Sequence, residues 1–511
     1  MPEREVKLTP VAGFRLPALS DVVAGVIAHP DEILDLQARY YDTADLRLAR
    51  SGASLRFREP EGWTVKLPAP GDGTLLVRGE HTFAGGPDNP PAAAVDLVRA
   101  WVRTATVHPV ARLKTRRRRI ELTDAGGKKV AEVVDDEVSV LDEGRITGRF
   151  RELEVELGEG APIELADALV ARLQRAGAGA PEPTPKIVRA LGPRGAGPPD
   201  VVAITDLTPE SAARDVVHAA ISASVLRLLR HDPGVRLGDD PEQVHQARVA
   251  TRRLRSDLRT FRSLLVPEWD EALRGELGWL GAELGAVRDT EVLLELLRGK
   301  VARLADPDRP IGEAMLARLV HRWEDTRVEL LTALRSDRYA RLLDQLVDAA
   351  RAPALVDGAD GPAREILPPL ARGPWRRLRK AVEALPEVPR DAQLHAVRIR
   401  AKRCRYAAEA VAPALGRPAR RFAKAVAMLQ DVLGDHQDAV IAAGWLRGVA
   451  HQAERGDQVF VAGVLTGMIR EVEHRTRDAW PSAWKAARRA RLRPDGATTA
   501  PPPRTDDLGA P

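Results

Sequence analysis

The most restrictive feature of this sequence is a change of hydrophobic period at a Gly/Pro-rich stretch, Leu191-Gly-Pro-Arg-Gly-Ala-Gly-Pro-Pro-Asp200. Before it, short runs alternate apolar and charged residues over 3–8, 54–58, 112–118 and 151–157, with turn clusters at 70–73 and 126–127. Period-two alternation is the pattern of half-buried strands, and helices are expected near 17–28, 91–104 and 164–176. After the stretch, nearly three hundred residues rich in Ala, Leu and Arg follow helical periodicity, broken by Pro-containing loops. The 511 residues therefore make an α+β multidomain protein. Its expected parts are an antiparallel β-rich domain over 1–192, a linker over 193–205 and an all-α domain over 206–490. A tail over 491–511 has the Pro, Thr and Gly content of a disordered segment.

The helical half repeats itself. Val244-His-Gln-Ala-Arg-Val-Ala-Thr-Arg-Arg-Leu-Arg255 aligns without gaps to Leu394-His-Ala-Val-Arg-Ile-Arg-Ala-Lys-Arg-Cys-Arg405, at an offset of 150 (395 − 245). Leu284-Gly-Ala-Val-Arg-Asp289 answers Leu433-Gly-Asp-His-Gln-Asp438 at almost the same offset. Two matched segments imply a duplicated unit, two helical bundles related by a pseudo-twofold axis.

On the strands, charged residues share one face. Glu3, Glu5 and Lys7 oppose Val6 and Leu8; Arg56 and Arg58 oppose Leu55 and Phe57; Lys66 opposes Val65 and Leu67. Arg112, Lys114, Arg116 and Arg118 oppose Leu113, and Glu152, Glu154 and Glu156 oppose Leu153, Val155 and Leu157. One such strand is a solvated face over a core. Several of them, curled into a barrel, would set Arg/Lys walls against carboxylate clusters. That interior suits a phosphate chain and the hard divalent cation that bridges its oxygens, and phosphoryl transfer needs little beyond such positioning.

Glu3-Arg-Glu-Val-Lys7 resembles the ExExK motif of the CYTH family, the triphosphate tunnel metalloenzymes. Tyr40-Tyr-Asp-Thr43 looks like that family's YYDT stretch, Leu55-Arg-Phe-Arg58 like its RxR strand, and Lys66 falls where it keeps a tunnel lysine. Arg112–Arg118 looks like its second basic strand, Asp136 like its lone aspartate, Glu152-Leu-Glu154 like its ExE pair, and Lys186 like its terminal lysine. The resemblance implies an eight-stranded antiparallel barrel. It implies Mg²⁺ or Mn²⁺ on Glu3, Glu5, Glu152 and Glu154, with Asp136 as a further ligand or water-orienting base. Lys7, Arg56, Arg58, Lys66, Arg112, Lys114, Arg116 and Lys186 would grip the triphosphate, and Glu3, Glu5, Lys7, Lys66 and Asp136 form the catalytic set. The run Arg116–Arg119 admits a one-residue register shift that would exchange inward and outward side chains, and Asp135 could replace Asp136 for the same reason. Inorganic triphosphate is favoured over thiamine triphosphate or adenylate cyclisation, because Tyr40, Tyr41, Trp63 and Trp101 form no clear base-stacking pocket.

In the helical half, His245, Arg248, Arg252, Arg255 and Arg259 fall within one arc roughly 80° wide, apart from Ala247, Leu254, Leu258 and Phe261. His395, Arg398, Lys402 and Arg405 repeat that arc, and Cys404 takes the core position of Leu254. Between Val244 and Arg262 there are six Arg against one Asp. The excess of five equals the net charge of the whole chain, +5, left by 78 Lys+Arg and 73 Asp+Glu. Two such stripes facing across the axis would merge into one basic groove, with Arg288 and His436 either on its border or in helix-terminal hydrogen bonds. HxxRxxxRR at His245, Arg248, Arg252 and Arg253, and HxxRxxxKR at His395, Arg398, Lys402 and Arg403, resemble the paired motif of the CHAD family. That resemblance implies binding of inorganic polyphosphate, a linear polyanion whose counterions Arg and Lys displace.

The lone Cys404 excludes an intramolecular disulfide and a cysteine zinc cluster, and no apolar run reaches the ~18 residues of a membrane span. A cytoplasmic protein, with or without association with polyphosphate granules, is expected. Only 4% of residues are aromatic, which disfavours nucleic acid as a partner. The rival expectation is a non-catalytic polyphosphate-binding protein.

Overall fold

The structure is a computed structural model that describes residues 2–20, 22–69 and 75–490, without the side chains of residues 2 and 3. The tail expected over 491–511 lies outside the described residues. The chain divides into two compact units, one ending at Asp200 and the other starting at Val201.

Among the described residues the first unit has strands β1 (Pro2–Pro10), β2 (Ile27–Ala28), β3 (Glu32–Asp42), β4 (Ser54–Arg58), β5 (Gly62–Pro68), β6 (Leu76–Phe83), β7 (His108–Thr123), β8 (Lys129–Asp142), β9 (Arg145–Leu157) and β10 (Ala178–Pro181). Five short helices join them: α1 (Arg47–Arg50), α2 (Ala92–Leu97), α3 (Arg99–Val102), α4 (Ile163–Arg175) and α5 (Lys186–Leu191). Strands β1, β6, β5, β4, β3, β7, β8 and β9 pair in that order, and β1 pairs back to β9. An eight-stranded antiparallel barrel results. The long hairpin β8–β9 turns on two residues, Glu143 and Gly144, at φ +46° and +81°. Positive φ at both positions gives the turn a twist that matches the flanking strands.

Closure sends alternate side chains into the lumen or out of it. The outward set is apolar where something covers it: Val6, Leu8, Leu122, Val133, Leu153 and Val155 pack under Leu165, Leu169 and Leu173 of α4 and under Phe14 and Leu19. On the β4–β5 side, Leu55, Trp63 and Val65 are fully buried, and α2 packs against β5. The inward set is rich in charge, with Leu34, Leu36, Ser54, Thr64 and Thr82 among it, and at one end Tyr40, Leu113, Val138 and Ile187 of α5 form an apolar plug. The described residues of 17–28 do not form the expected helix. Gly25, at φ +80°, interrupts it, and Ile27–Ala28 pairs with β7 instead. The segment expected as a linker is partly fixed: Gly192–Arg194 makes a 3₁₀ turn, and Asp200 accepts from Arg103 and lies 3.8 Å from Arg47.

The second unit is helical: α6 (Ala213–Leu237), α7 (Pro241–Thr260), α8 (Pro267–Val301), α9 (Arg309–Arg335), α10 (Asp337–Arg351), α11 (Ala363–Glu383), α12 (Asp391–Leu415), α13 (Arg417–His451) and α14 (Gly456–Arg489). Helices α6 to α9 recur as α11 to α14, and α10 has no counterpart among them. Like meets like across the axis: α7 contacts α12, and α8 contacts α13. Leu293, Leu297 and Val301 share a core with Ala439, Ala442 and Leu446, while Cys404 sits buried among Trp375, Leu378 and Phe422. Burial pushes the Cys404 thiol well up.

Leu169 is completely buried between α4 and the barrel wall. Leu169→Ala should cost about 2–5 kcal/mol in urea unfolding; a loss below about 1 kcal/mol would contradict the packing described for α4.

Candidate functional site

The lumen holds a cavity of about 510 Å³ lined by Lys7, Arg56, Arg58, Lys66, Arg78, Arg117, Glu154 and Lys186 among others. Its cations stand against carboxylates. Lys7 Nζ contacts Glu154 and lies 3.6 Å from Glu152 and 3.8 Å from Glu5. Lys186 Nζ bonds Asp136 and lies 3.1 Å from Glu152. Arg117 donates to both oxygens of Asp136 at 2.9 and 2.7 Å, and to Glu154 at 3.2 Å. Arg78 pairs with Glu5, Arg58 with Glu61, and Lys66 with Glu80 at 3.3 Å. Burial opposes charge on Lys7, but Glu154, Glu5 and Glu152 outweigh it and raise its pKa. Burial likewise opposes ionisation of Glu154, yet Lys186, Lys7 and Arg117 hold its carboxyl well below the usual range. Glu152 goes the other way, raised by its burial and by Glu154.

Six sequence-expected positions, Lys7, Arg56, Arg58, Lys66, Glu154 and Lys186, share the cavity lining. Glu5, Asp136 and Glu152 join them through the ion pairs and carboxylate groups around it. Glu3 lies on β1, opposite Arg78, but its side chain is outside the described residues. The basic strand needs correction. Arg112, Lys114 and Arg116 are exposed on the outer face of the barrel, and Arg117 and Arg119 line the lumen. Leu113 is the reason: it points inward to the plug with Tyr40 and Val138, and period two then carries Arg117 in. Arg118 points out to Asp31. Asp135 also faces away, held by Arg151 at 2.7 and 2.6 Å, whereas Asp136 is completely buried beside Arg117 and Lys186. Arg78, Glu61, Glu80 and Glu132 were not anticipated. Arg78 and Glu80 carry a period-two signal in Leu76–Phe83 that was legible.

Carboxylate oxygens of Glu5, Glu154 and Glu156 lie within 4.8 Å of one another, as do those of Asp136, Glu152 and Glu154. Such oxygen donors suit Mg²⁺ or Mn²⁺. Glu152 Oε1 is buried and makes no hydrogen bond of good geometry, even with Lys186 nearby, so it keeps lone pairs for an ion. The residues fit a divalent cation.

The second unit has a groove of about 570 Å³ on the pseudo-twofold, lined by His245, Arg248 and Arg252 of α7 and by His395, Arg398 and Lys402 of α12. Arg288 and Asp289 border it from α8, and Gln437 and Asp438 from α13. Asp240 caps α7 by accepting from Glu242 N at 2.9 Å, which fixes where the histidine–arginine stripe begins. Unlike the barrel cations, these are poorly partnered. Arg248 Nη1, Arg252 Nε, Arg398 Nε and His395 Nδ1 are buried without a hydrogen-bond partner; Arg248 Nη2 reaches Asp289 at 3.0 Å. Burial, then Arg398, Arg252 and Arg248, push Lys402 down to about 7 against the pull of Asp438.

Arg253 and Arg403 do not line this groove. Arg253 turns to Glu409 and to Asp257, 3.6 Å away, and Arg403 is exposed. The helix angle separates them from the stripe, and Asp257, whose carboxyl burial pushes up to about 7, draws Arg253 inward. His436 is buried and bonded to Asp391 at 3.0 Å and Thr476 at 3.2 Å, a helix-terminal role. The repeated Leu-Gly pairs acquire a meaning: the guanidinium of Arg248 lies on Gly285 and that of Arg398 on Gly434. A Cβ at Gly285 would overlap Arg248 Nη1, whereas one at Gly434 would sit 3.6 Å from Arg398, an ordinary contact. Gly285→Ala should therefore leave folding stability unchanged or raised by up to about 1 kcal/mol while weakening capture of a phosphate-chain anion, and Gly434→Ala should weaken it less. Equal affinity in wild type and Gly285→Ala would contradict the seat.

Among the described residues no helix is long and apolar enough to cross a membrane. Sequence comparison finds a CYTH domain over residues 1–181 and a CHAD domain over 219–447. An uncharacterized protein of Mycobacterium tuberculosis strain H37Rv, Rv2226, is 32% identical over 538 residues, covering 96% of this chain and 98% of its own. MT2285 of strain CDC 1551 matches to the same extent. Among solved structures, PptA from Streptomyces chartreusis is 27% identical over 54% of this chain and 99% of its own, with a TM-score of 0.47. The CHAD domain from the plant Ricinus communis is 26% identical over 56% and 95%, with a TM-score of 0.46. With both domains found in order and a relative matched along nearly its whole length, the chain belongs to the proteins that join a CYTH triphosphate-tunnel domain to a CHAD domain.

Proposed function

We propose that the CYTH half, residues 1–192, hydrolyses inorganic triphosphate with Mg²⁺ or Mn²⁺, and that the CHAD half, 206–490, binds polyphosphate. The observation that carries the first part is the closed lumen in which Lys7, Arg117 and Lys186 face Glu152, Glu154 and Asp136. Glu5, Glu152 and Glu154, with Glu3 by its place on β1 and Asp136 as a further donor, are the residues that would hold the ion. When bound, the ion would neutralise phosphate oxygens and polarise the scissile anhydride. Lys7, Arg56, Arg58, Lys66, Arg117 and Lys186 would bind and orient the chain. Carboxylate partners hold them in place, so the site is preorganised for negative charge. Water adds to the terminal phosphorus and loses a proton to the departing pyrophosphate or to solvent, and pyrophosphate leaves with the electrons of the broken P–O bond.

An inorganic head group is favoured because Tyr41 and Trp63 are not in the lumen lining and Tyr40 is the one aromatic side chain in it among the described residues. Tyr41 and Trp63 are buried and packed 4.8 Å apart, with Trp63 donating to Gly86 O. Tyr40 reaches the lumen. Burial would raise its phenol, but Arg56, Lys186, Lys66 and Arg58 hold it below its ordinary value. That suits a polar contact rather than a stacking platform. The groove's unpartnered buried donors support polyphosphate binding, since each carries a desolvation cost of about 1–3 kcal/mol that an anion relieves. Such binding would place the enzyme at cytoplasmic polyphosphate granules.

Phosphate release should be seen from triphosphate with Mg²⁺ or Mn²⁺, and Glu154→Gln should lower it at least about 100-fold. No turnover on any triphosphate, or full activity in Glu154→Gln, would overturn the catalytic reading. Arg117→Ala should raise KM about tenfold or more, far beyond the effect of Arg116→Ala; the reverse order would contradict the register of β7. In the groove, Lys402 is mostly uncharged above pH 7 when no anion is bound. An anion raises its pKa, so binding takes up a proton and affinity falls as pH rises from about 6.5 to 8.5. Lys402→Arg should flatten that dependence in a titration followed by calorimetry; an unchanged slope would contradict it.

A further inference from the structure

The outward half of β7 is not absorbed by the tunnel. Arg112, Lys114 and Arg116 are exposed, as is Arg149 on β9, and none of the four makes an ion pair or side-chain hydrogen bond among the described residues. Register places Arg39 opposite Arg112, and Gln37 and Ser139 on either side of Lys114, with Arg149 beyond Ser139. Asp35 and Glu137 flank Arg116, and Arg118 and Arg151 are paired with Asp31 and Asp135. Arg39 lies 3.9 Å from Asp88, so the uncompensated charge is Arg112, Lys114 and Arg149. At about 4.8 Å per strand these span β7 to β9 within about 10 Å.

Like charges directly opposite on neighbouring strands destabilise a sheet. Charge on an edge strand can be explained as protection from aggregation, but β7 is paired on both sides. A ligand that reads charge accounts for the arrangement. The outward positions of these strands over 33–39, 112–118, 137–141 and 149–151 carry no aromatic side chain, so a nucleobase would find nothing to stack on. A phosphate chain needs no such platform. We propose that this face of the barrel is a docking track for long inorganic polyphosphate, outside the tunnel and additional to the groove of the helical unit. The proposal rests on the reading that the protein handles phosphate chains.

The test uses the full chain and a long-chain sodium polyphosphate. Arg112→Gln, Lys114→Gln and Arg149→Gln are combined, in wild type and in a His245→Ala, Arg248→Ala, Arg398→Ala background that disables the groove. The outer-face triple should lose about tenfold in affinity in both backgrounds, and the slope of log affinity against log salt should fall by about 2. Arg112→Lys with Arg149→Lys should retain affinity, and equal melting temperatures show that the loss is not unfolding. Unchanged affinity and slope in the outer-face triple, with groove-dependent binding intact, overturn the track alone. Absence of polyphosphate binding in wild type overturns the polyphosphate reading and the track with it. An equal or stronger loss of duplex DNA binding, at matched salt, overturns the choice of partner.

Discussion

Mutual neutralisation of buried charge is the condition on which the barrel depends. An unpaired ion in such a lumen would cost several kcal/mol, and Lys7, Lys186 and Arg117 avoid that by standing against Glu154, Glu152 and Asp136. Filling the inside with charge sends the apolar half of each strand outward, and those residues then need cover. Helix α4, the Phe14–Leu19 segment and the α2–α3 corner supply it. On the function proposed above, these ion pairs would exchange partners, carboxylates for a cation and cations for phosphate oxygens.

The helical groove solves the opposite problem. Its arginines and histidines come from two copies of one stripe, brought face to face by the duplication, and few carboxylates answer them. Such a concentration of like charge is tolerable because the surrounding helices are held by their own apolar core, independent of the groove. Lys402 shows the strain most plainly, being pushed to about 7 by its burial and by arginine neighbours. Glycines on α8 and α13 let those guanidinium groups lie close to a helix backbone.

Much of this was legible in the residues. Strand alternation marked Lys7, Arg56, Lys66 and Glu154, and the offset of 150 marked the two bundles and the six groove residues. What escaped was what local pattern does not encode. Four consecutive arginines leave the register of β7 undetermined, and only the inward plug made by Leu113, Tyr40 and Val138 selects Arg117. Arg253 follows the motif spacing yet points to Glu409, a residue 156 positions away whose proximity arises from helix packing. Residues 17–28 have apolar residues enough for a helix, but docking of Leu19 and the break at Gly25 override that propensity.

The central claim, that lumen cations exchange carboxylates for a phosphate chain, is tested most directly by a structure of the full chain with Mn²⁺ and a non-hydrolysable triphosphate analogue. The account predicts phosphate oxygens within hydrogen-bond distance of Lys7, Arg117 and Lys186, with the ion held by Glu152 and Glu154. An analogue seated outside the barrel, with the Lys7–Glu154 and Arg117–Asp136 pairs undisturbed, would contradict it.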